Sequence, residues 1–378
     1  MKNNPLKQIE NFGQSIWLDY IRRDLISSGA LRHLILDDGL KGITSNPSIF
    51  ENAITKSNIY DSDIMNLAEK GKSAAEIYEI ISQKDVLSAA DEFKPLFDAT
   101  RGREGFVSLE VNPNLSHDTQ GTIEEARRLW NLLYRPNVFI KVPATVEGLP
   151  AIEQLIAEGI NVNVTLLFSL KRYRQVAEAY IAGIKSRMLS GKPLENVNSV
   201  ASFFLSRIDS VVDPVDETFM ALGGEQVHFA TNIRGQVAIS CAKIAYSYYK
   251  DIFDGDEFKW LAAHGARTQR LLWASTGTKN PDYSDIKYVE ALIGANTVNT
   301  LPMETLNAYK DHGNPMTRLD QHLNRACWVI SELPELGIDL EKVTQKLEED
   351  GLHKFIDSYD KLISAINERS TQFKLQNH

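Results

Sequence analysis

The sequence predicts an α/β fold built as a single (β/α)8 TIM barrel with helical insertions and a helical C-terminal tail. Three observations carry this reading. Eight short β-prone runs recur along the chain, helical patterns lie between them, and several runs alternate polar and apolar residues with period two.

The first run, Ser15–Tyr20, contains IWLDY, with Asp19 near its end. The second, Lys41–Asn46, holds GITSN, in which Thr44 and Asn46 share a face. In the third, Gly105–Val111, Ser108 and Glu110 oppose Val107, Leu109 and Val111. The fourth, Asn137–Pro143, is made of the β-formers Val138, Phe139, Ile140 and Val142, and Pro143 ends it. The fifth, Ile160–Phe168, sets Asn161, Asn163 and Thr165 against Val162, Val164 and Leu166. Val200–Ile208, Arg270–Thr276 and Ala295–Thr300 complete the set. Helical spacing fills Thr122–Tyr134, Leu149–Glu158 and Leu170–Leu189.

Repeated strand–helix units imply a parallel sheet. Eight of them fit a closed barrel, with a doubly wound sheet as the rival arrangement. Three long connections, Pro47–Glu104, Asp209–Gln269 and the tail after Leu301, contain helix-like stretches. They read as insertions (about 51–104 and 210–269) and C-terminal helices (about 302–378) on one domain covering 1–378. The tail from Glu335 could cover the barrel mouth or a neighbouring subunit.

The 378 residues are 43% hydrophobic and 24% charged, ordinary for a globular protein, and the formal charge of −9 argues against nucleic acid or anionic membrane as a partner. Two cysteines, Cys241 and Cys327, far apart in sequence, form neither a disulfide framework nor a metal motif, so a reducing, cytoplasmic setting is expected. The start, MKNNPLKQIENFG, lacks the apolar core of a secretory signal, and no apolar run approaches the roughly 20 residues of a membrane span. A monomer and a homodimer are both open. GKS at Gly71–Ser73 has Asn66 where a phosphate-binding loop needs glycine, and it reads as part of a helical insertion. No G-x-G-x-x-G occurs, so a dinucleotide site has no support, and there is no H-E-x-x-H and the eight histidines lack metal spacing. The five tryptophans sit at strand or helix positions and read mostly as core.

In a barrel the outer strand faces pack on helices, so the polar set of each alternating run faces the interior. Lys141 belongs to that set, in the middle of NVFIKVPAT. Lysine is rarely buried without a partner. Burial disfavours the ammonium and favours a neutral amine, which can attack a carbonyl and form a Schiff base. The alternative is a strand-end lysine that extends its ammonium into water. Glu110 and Asp19 are the inward carboxylates; the competing readings are an ion pair of Glu110 with Lys141, which would keep the lysine charged and oppose its nucleophilicity, and pairing of Asp19 with Arg22 or Arg23.

GITSNPSIF (Gly42–Phe50) resembles the second-strand signature of transaldolases, and FIKVPAT (Phe139–Thr145) resembles the segment carrying their Schiff-base lysine. NVNVTLLFS, SLEV, SFFLSRID and WASTGTKNPDYSD fall in the expected order, and the length and STGTKNP look like the longer bacterial branch. The resemblance implies a cofactor-free barrel that transfers a dihydroxyacetone unit from sedoheptulose 7-phosphate to glyceraldehyde 3-phosphate in the pentose phosphate pathway. It further implies that Lys141 forms the imine and that Asp19 takes the substrate hydroxyl proton. Glu110 then serves the lysine chemistry with a water near Thr165. Asn46, Asn163 and Ser202 would bind substrate hydroxyls.

A sugar phosphate also needs cations. Arg207 follows the sixth strand with a planar fork suited to phosphate, and Ser275 with Lys279 follows the seventh. Shorter transaldolases are expected to carry Arg two residues after the matched serine. Gly277 stands there, and Lys279 is read as the substitute, helped by backbone N–H groups near Gly277. Two other outcomes share these residues: a Schiff-base fructose-6-phosphate aldolase that releases free dihydroxyacetone, and a non-catalytic sugar-phosphate-binding barrel.

Overall fold

In the computed structural model, which describes residues 4–224 and 226–376, eight parallel strands close into a barrel in sequence order. They are β1 (Gln14–Leu18), β2 (Gly42–Ile43), β3 (Phe106–Glu110), β4 (Val138–Pro143), β5 (Val162–Leu167), β6 (Ser199–Phe204), β7 (Arg270–Ala274) and β8 (Thr297–Leu301). β1 closes the ring on β8, with Gln14 beside Thr297 and Leu18 beside Leu301. The doubly wound rival is excluded by this closure. All six residues of β4 are buried, as expected for a parallel strand covered on both faces.

Most strand expectations overran by a residue or two at an end, and two overran further. Val200–Ile208 ends as strand at Phe204, and a helix, Ser206–Leu222, begins two residues later. The amides of Leu205 and Ser206 still bond the carbonyls of Ala274 and Ser275, so the chain follows β7 to the rim before it turns. Lys41–Asn46 keeps only two ladder residues, because Asn46 caps the next helix.

The helices that frame the mouth are α1 (Pro47–Thr55), α2 (Ala74–Ala99), α3 (Leu170–Leu189), α4 (Ser206–Leu222) and α5 (Leu340–Gln376). Asn46 caps α1 by accepting the Ile49 amide at 3.0 Å, with Pro47 at the first helical position. The GKS segment opens α2 through a capping box: Ser73 Oγ accepts the Glu76 amide and Glu76 accepts the Ser73 amide. Among the described residues no helix is long and apolar enough to cross a membrane. Trp17 and Trp273 are core, whereas Trp260 is 53% exposed, because only one side of its short helix packs inward.

Inside the barrel the layers differ. A middle layer of Trp17, Phe106 and Phe139 rings packs with centroids 4.5–6.3 Å apart. Gly42 makes room for it, since a Cβ there would lie 2.7 Å from the Trp17 ring. Beneath that layer Arg270 closes the floor. Its Nη1 donates to Glu104 and to Ser15, each at 2.9 Å, and its Nη2 donates to the Arg103 carbonyl at 3.2 Å. Above the layer, at the C-terminal ends of the strands, lies the polar chamber.

Candidate active site

Parallel register sets the base of the chamber. Glu110 pairs laterally with Lys141, and Lys141 with Asn163, across three neighbouring strands. Lys141 is 4% exposed and points inward. Its Nζ donates to the Ser45 carbonyl at 3.0 Å and meets Glu110 Oε2 at 3.3 Å. The ion-pair reading of Glu110 is therefore realised, by direct contact with the lysine. Burial pushes the Glu110 carboxyl up; Lys141 opposes the rise, and the Asp19 charge adds to it. Glu110 Oε1 and Thr165 Oγ1 are both buried with no hydrogen-bond partner among the described residues.

Asp19, just past β1, faces the same chamber. Thr44 Oγ1 donates to it at 2.7 Å and also lies 3.0 Å from Thr300 Oγ1. Burial raises its carboxyl, against the pull of Lys141, the Thr44 hydrogen bond and Lys279. Neither arginine considered for it is its partner: Arg22 pairs with Asp24, and Arg23 with Asp63 and Asp85.

A cavity of about 190 Å³ opens here, with walls that include Asp19, Asn46, Lys141, Thr165, Ser202, Arg207, Ser275 and Lys279. Asn46 uses its oxygen to cap α1, so its Nδ2 is the donor left for a ligand. Asn163 pairs with Lys141 in register and is fully buried. Its Nδ2 donates to Ser108 at 3.1 Å and its oxygen accepts from Ser202 at 2.7 Å, a buried ladder that aligns Ser202.

Arg207 comes from the first turn of α4. Its Nη1 is buried without a partner, and burial alone pushes the guanidinium below its usual value. Ser275 adopts φ +54° and its Oγ sits 2.9 Å from Ser206 Oγ. Leu166, after Thr165, has φ +57°, where the β5–β6 register shifts. Two non-glycine residues in the left-handed region thus flank the chamber, a pattern common where backbone is shaped for a site. Gly277 also borders the cavity; a Cβ there would approach Pro302 at 3.1 Å.

Sequence reasoning missed Thr44, Ser48, Phe204 and Phe355, all of which line the cavity. Thr44 and Phe204 had a signal, since each shares the inward face of a named site residue. Phe355 had none, because its entry depends on how α5 folds back over the mouth.

Known proteins match this chain over nearly its whole length. A family model described as transaldolase/fructose-6-phosphate aldolase covers residues 16–366. A transaldolase of Trichodesmium erythraeum is 46% identical over 373 residues, 98% of each chain. One from Thiobacillus denitrificans is 46% identical over 363 residues, 96% of this chain and 99% of the relative. A protein named transaldolase 2 from a Nostoc species is 45% identical over 97% of each.

Proposed function

Since the chain belongs to the transaldolase/fructose-6-phosphate aldolase family and is an enzyme of the transaldolase type, we propose that it moves a dihydroxyacetone unit between sugar phosphates through an imine on Lys141. The donor is sedoheptulose 7-phosphate and the acceptor glyceraldehyde 3-phosphate, giving erythrose 4-phosphate and fructose 6-phosphate in the cytoplasmic pentose phosphate pathway. The observation that carries this reading is the burial of Lys141 in the wall of a chamber that Asp19 and Arg207 also line, with Glu110 as a proton acceptor 3.3 Å from its Nζ.

Glu110 takes a proton from the Lys141 ammonium, a transfer favoured by burial of the carboxylate. Neutral Nζ then adds to the ketose carbonyl. The carbinolamine hydroxyl is protonated from Glu110 through a water on Thr165 and leaves as water, giving the iminium. Asp19 removes the C4 hydroxyl proton, the C3–C4 bond breaks, and its electron pair moves into the iminium. An enamine and a free aldose result. The acceptor aldehyde receives the enamine electron pair in a new C–C bond, and its oxygen takes the proton back from Asp19. Water at Glu110 and Thr165 finally hydrolyses the product imine.

Asn46 Nδ2, Asn163 Nδ2 and Ser202 Oγ bind hydroxyls of the three-carbon unit, and Asn163 also aligns Ser202 by accepting its hydroxyl proton. Arg207, whose buried Nη1 lacks a partner, receives the phosphate together with Ser275, Lys279 and backbone near Gly277.

Borohydride added with fructose 6-phosphate tests the proposal. A reduced three-carbon or hexose adduct mapped to the Lys141 peptide is expected. A folded enzyme that gives no adduct is instead a sugar-phosphate-binding barrel without this chemistry.

A further inference from the structure

We propose that Phe355 of the C-terminal helix α5 is the residue that keeps the enamine from being protonated by solvent, and so sets transfer ahead of release of free dihydroxyacetone. This inference rests on the imine chemistry proposed above.

α5 crosses the barrel mouth as a strap held at both ends. Near its start Ser169 donates to Glu341 at 3.1 Å and Arg172 lies 3.7 Å from Glu348. Toward its end Arg369 donates to the Ser57 carbonyl at 3.0 Å and pairs with Asp61. Between the clamps one helical face meets the chamber. Gly351 packs so closely that a Cβ there would lie 3.1 Å from Leu166 and 3.7 Å from Arg207 Nη1. One turn on, Phe355 enters the cavity wall, 5% exposed, with its ring centroid 5.9 Å from Lys141 Nζ. Ser358 then shares a 2.7 Å hydrogen bond with Ser48, and Tyr359 packs edge-on against Tyr78. These contacts fix the axial and rotational setting of the helix, so the Phe355 ring is held in place.

The chemistry gives that placement a consequence. After the aldose leaves, the enamine has two fates. In transfer, its carbon forms a C–C bond with the acceptor aldehyde. In release, the same carbon takes a proton, water adds to the resulting iminium, and the C–N bond breaks to give dihydroxyacetone and the free amine. The reacting carbon is two bonds from Nζ, and the Phe355 ring, centred 5.9 Å from that nitrogen, borders the same cavity. The ring carries no proton to give and displaces water that would. Product imine is already an iminium after C–C bond formation, so its hydrolysis needs one water at Glu110 and Thr165 and no proton on carbon. The strap can therefore oppose one hydrolysis without opposing the other.

The test uses full-length enzyme with Phe355→Ala. Dihydroxyacetone release from fructose 6-phosphate without acceptor is compared with transfer to erythrose 4-phosphate, and deuterium uptake from heavy water into the released unit is followed. The release-to-transfer ratio is expected to rise at least about tenfold, with matching deuterium uptake. A ratio within about twofold of wild type overturns the inference. Borohydride trapping on Lys141 is run alongside: an adduct with an unchanged ratio defeats only the role of Phe355, whereas no adduct even in wild type defeats the imine chemistry. If Phe355→Ala does not fold, Phe355→Met keeps the volume but replaces the rigid ring with a mobile chain. A ratio raised about threefold or more then supports the inference, and a smaller change overturns it.

Discussion

Two cation–carboxylate pairs lie inside this barrel, one at each end, and they differ in whether the cation can give up its proton. At the floor Arg270 meets Glu104 at 2.9 Å; at the mouth Lys141 meets Glu110 at 3.3 Å. Arginine stays protonated in proteins and spreads its charge over a fixed fork, and here the fork is shared among a carboxylate, a hydroxyl and a carbonyl. Lysine is a point donor whose proton can move to the carboxylate beside it. The floor pair therefore locks strands together, whereas the imine chemistry proposed above needs the mouth pair to pass a proton from Lys141 to Glu110. The surroundings match: Glu110 Oε1, Thr165 Oγ1 and Arg207 Nη1 are all left without partners near the mouth pair. Such polar groups are costly to bury in a structure that serves packing alone.

Exchanging the cation type at the mouth has the largest expected effect. Lys141→Arg retains the charge beside Glu110 but removes the nucleophile, so turnover should fall by at least about a thousandfold and borohydride adducts should vanish. Circular dichroism should stay near wild type; appreciable residual turnover would mean that another group forms the imine.

At the floor, Arg270→Met leaves Glu104 buried and unpaired. Unfolding free energy from urea titration should drop by about 3 kcal/mol, while kcat/KM at a temperature where the variant is folded changes by no more than about threefold. A large catalytic loss with unchanged stability would erase the distinction between the two ends.

The smallest effect comes from a carboxylate with no cation in contact. Asp216 on α4 is fully buried, neither carboxylate oxygen has a partner, and burial, then Asp213 and Asp209, push it up to about 7. The folded state therefore holds this proton more tightly than the unfolded chain. Its stabilising contribution is full below the ordinary Asp range and is lost as pH rises to about 7. Asp216→Asn should flatten the decline of the thermal midpoint between about pH 5 and pH 7 by a few degrees. An unchanged slope would show that the carboxyl titrates in its usual range.

Much of this arrangement was legible before any coordinates. Lys141, Glu110 and Thr165 could be found because period-two alternation assigns each strand residue to a face, and closed topology turns that face inward. The partners of Asn163 were not legible: its amide bridges Ser108 and Ser202 across neighbouring strands, which the alternation of a single strand does not reveal. Neither was the strand-to-helix switch at Ser206, where apolar residues suit both states. Phe355 was hidden for a different reason. Its helix looks like any amphipathic tail, and only the tertiary path of α5 decides that this ring meets Lys141 rather than ordinary core.

The proton-labile mouth pair is tested most directly by rapid-mixing measurement of imine formation in Glu110→Gln. The amide is nearly the same size but cannot accept the lysine proton. Imine formation at neutral pH should slow about a hundredfold, and the deficit should shrink as hydroxide takes over deprotonation at higher pH. Imine formation at the wild-type rate across the whole pH range would contradict the assignment of Glu110 as the group that frees the Lys141 amine.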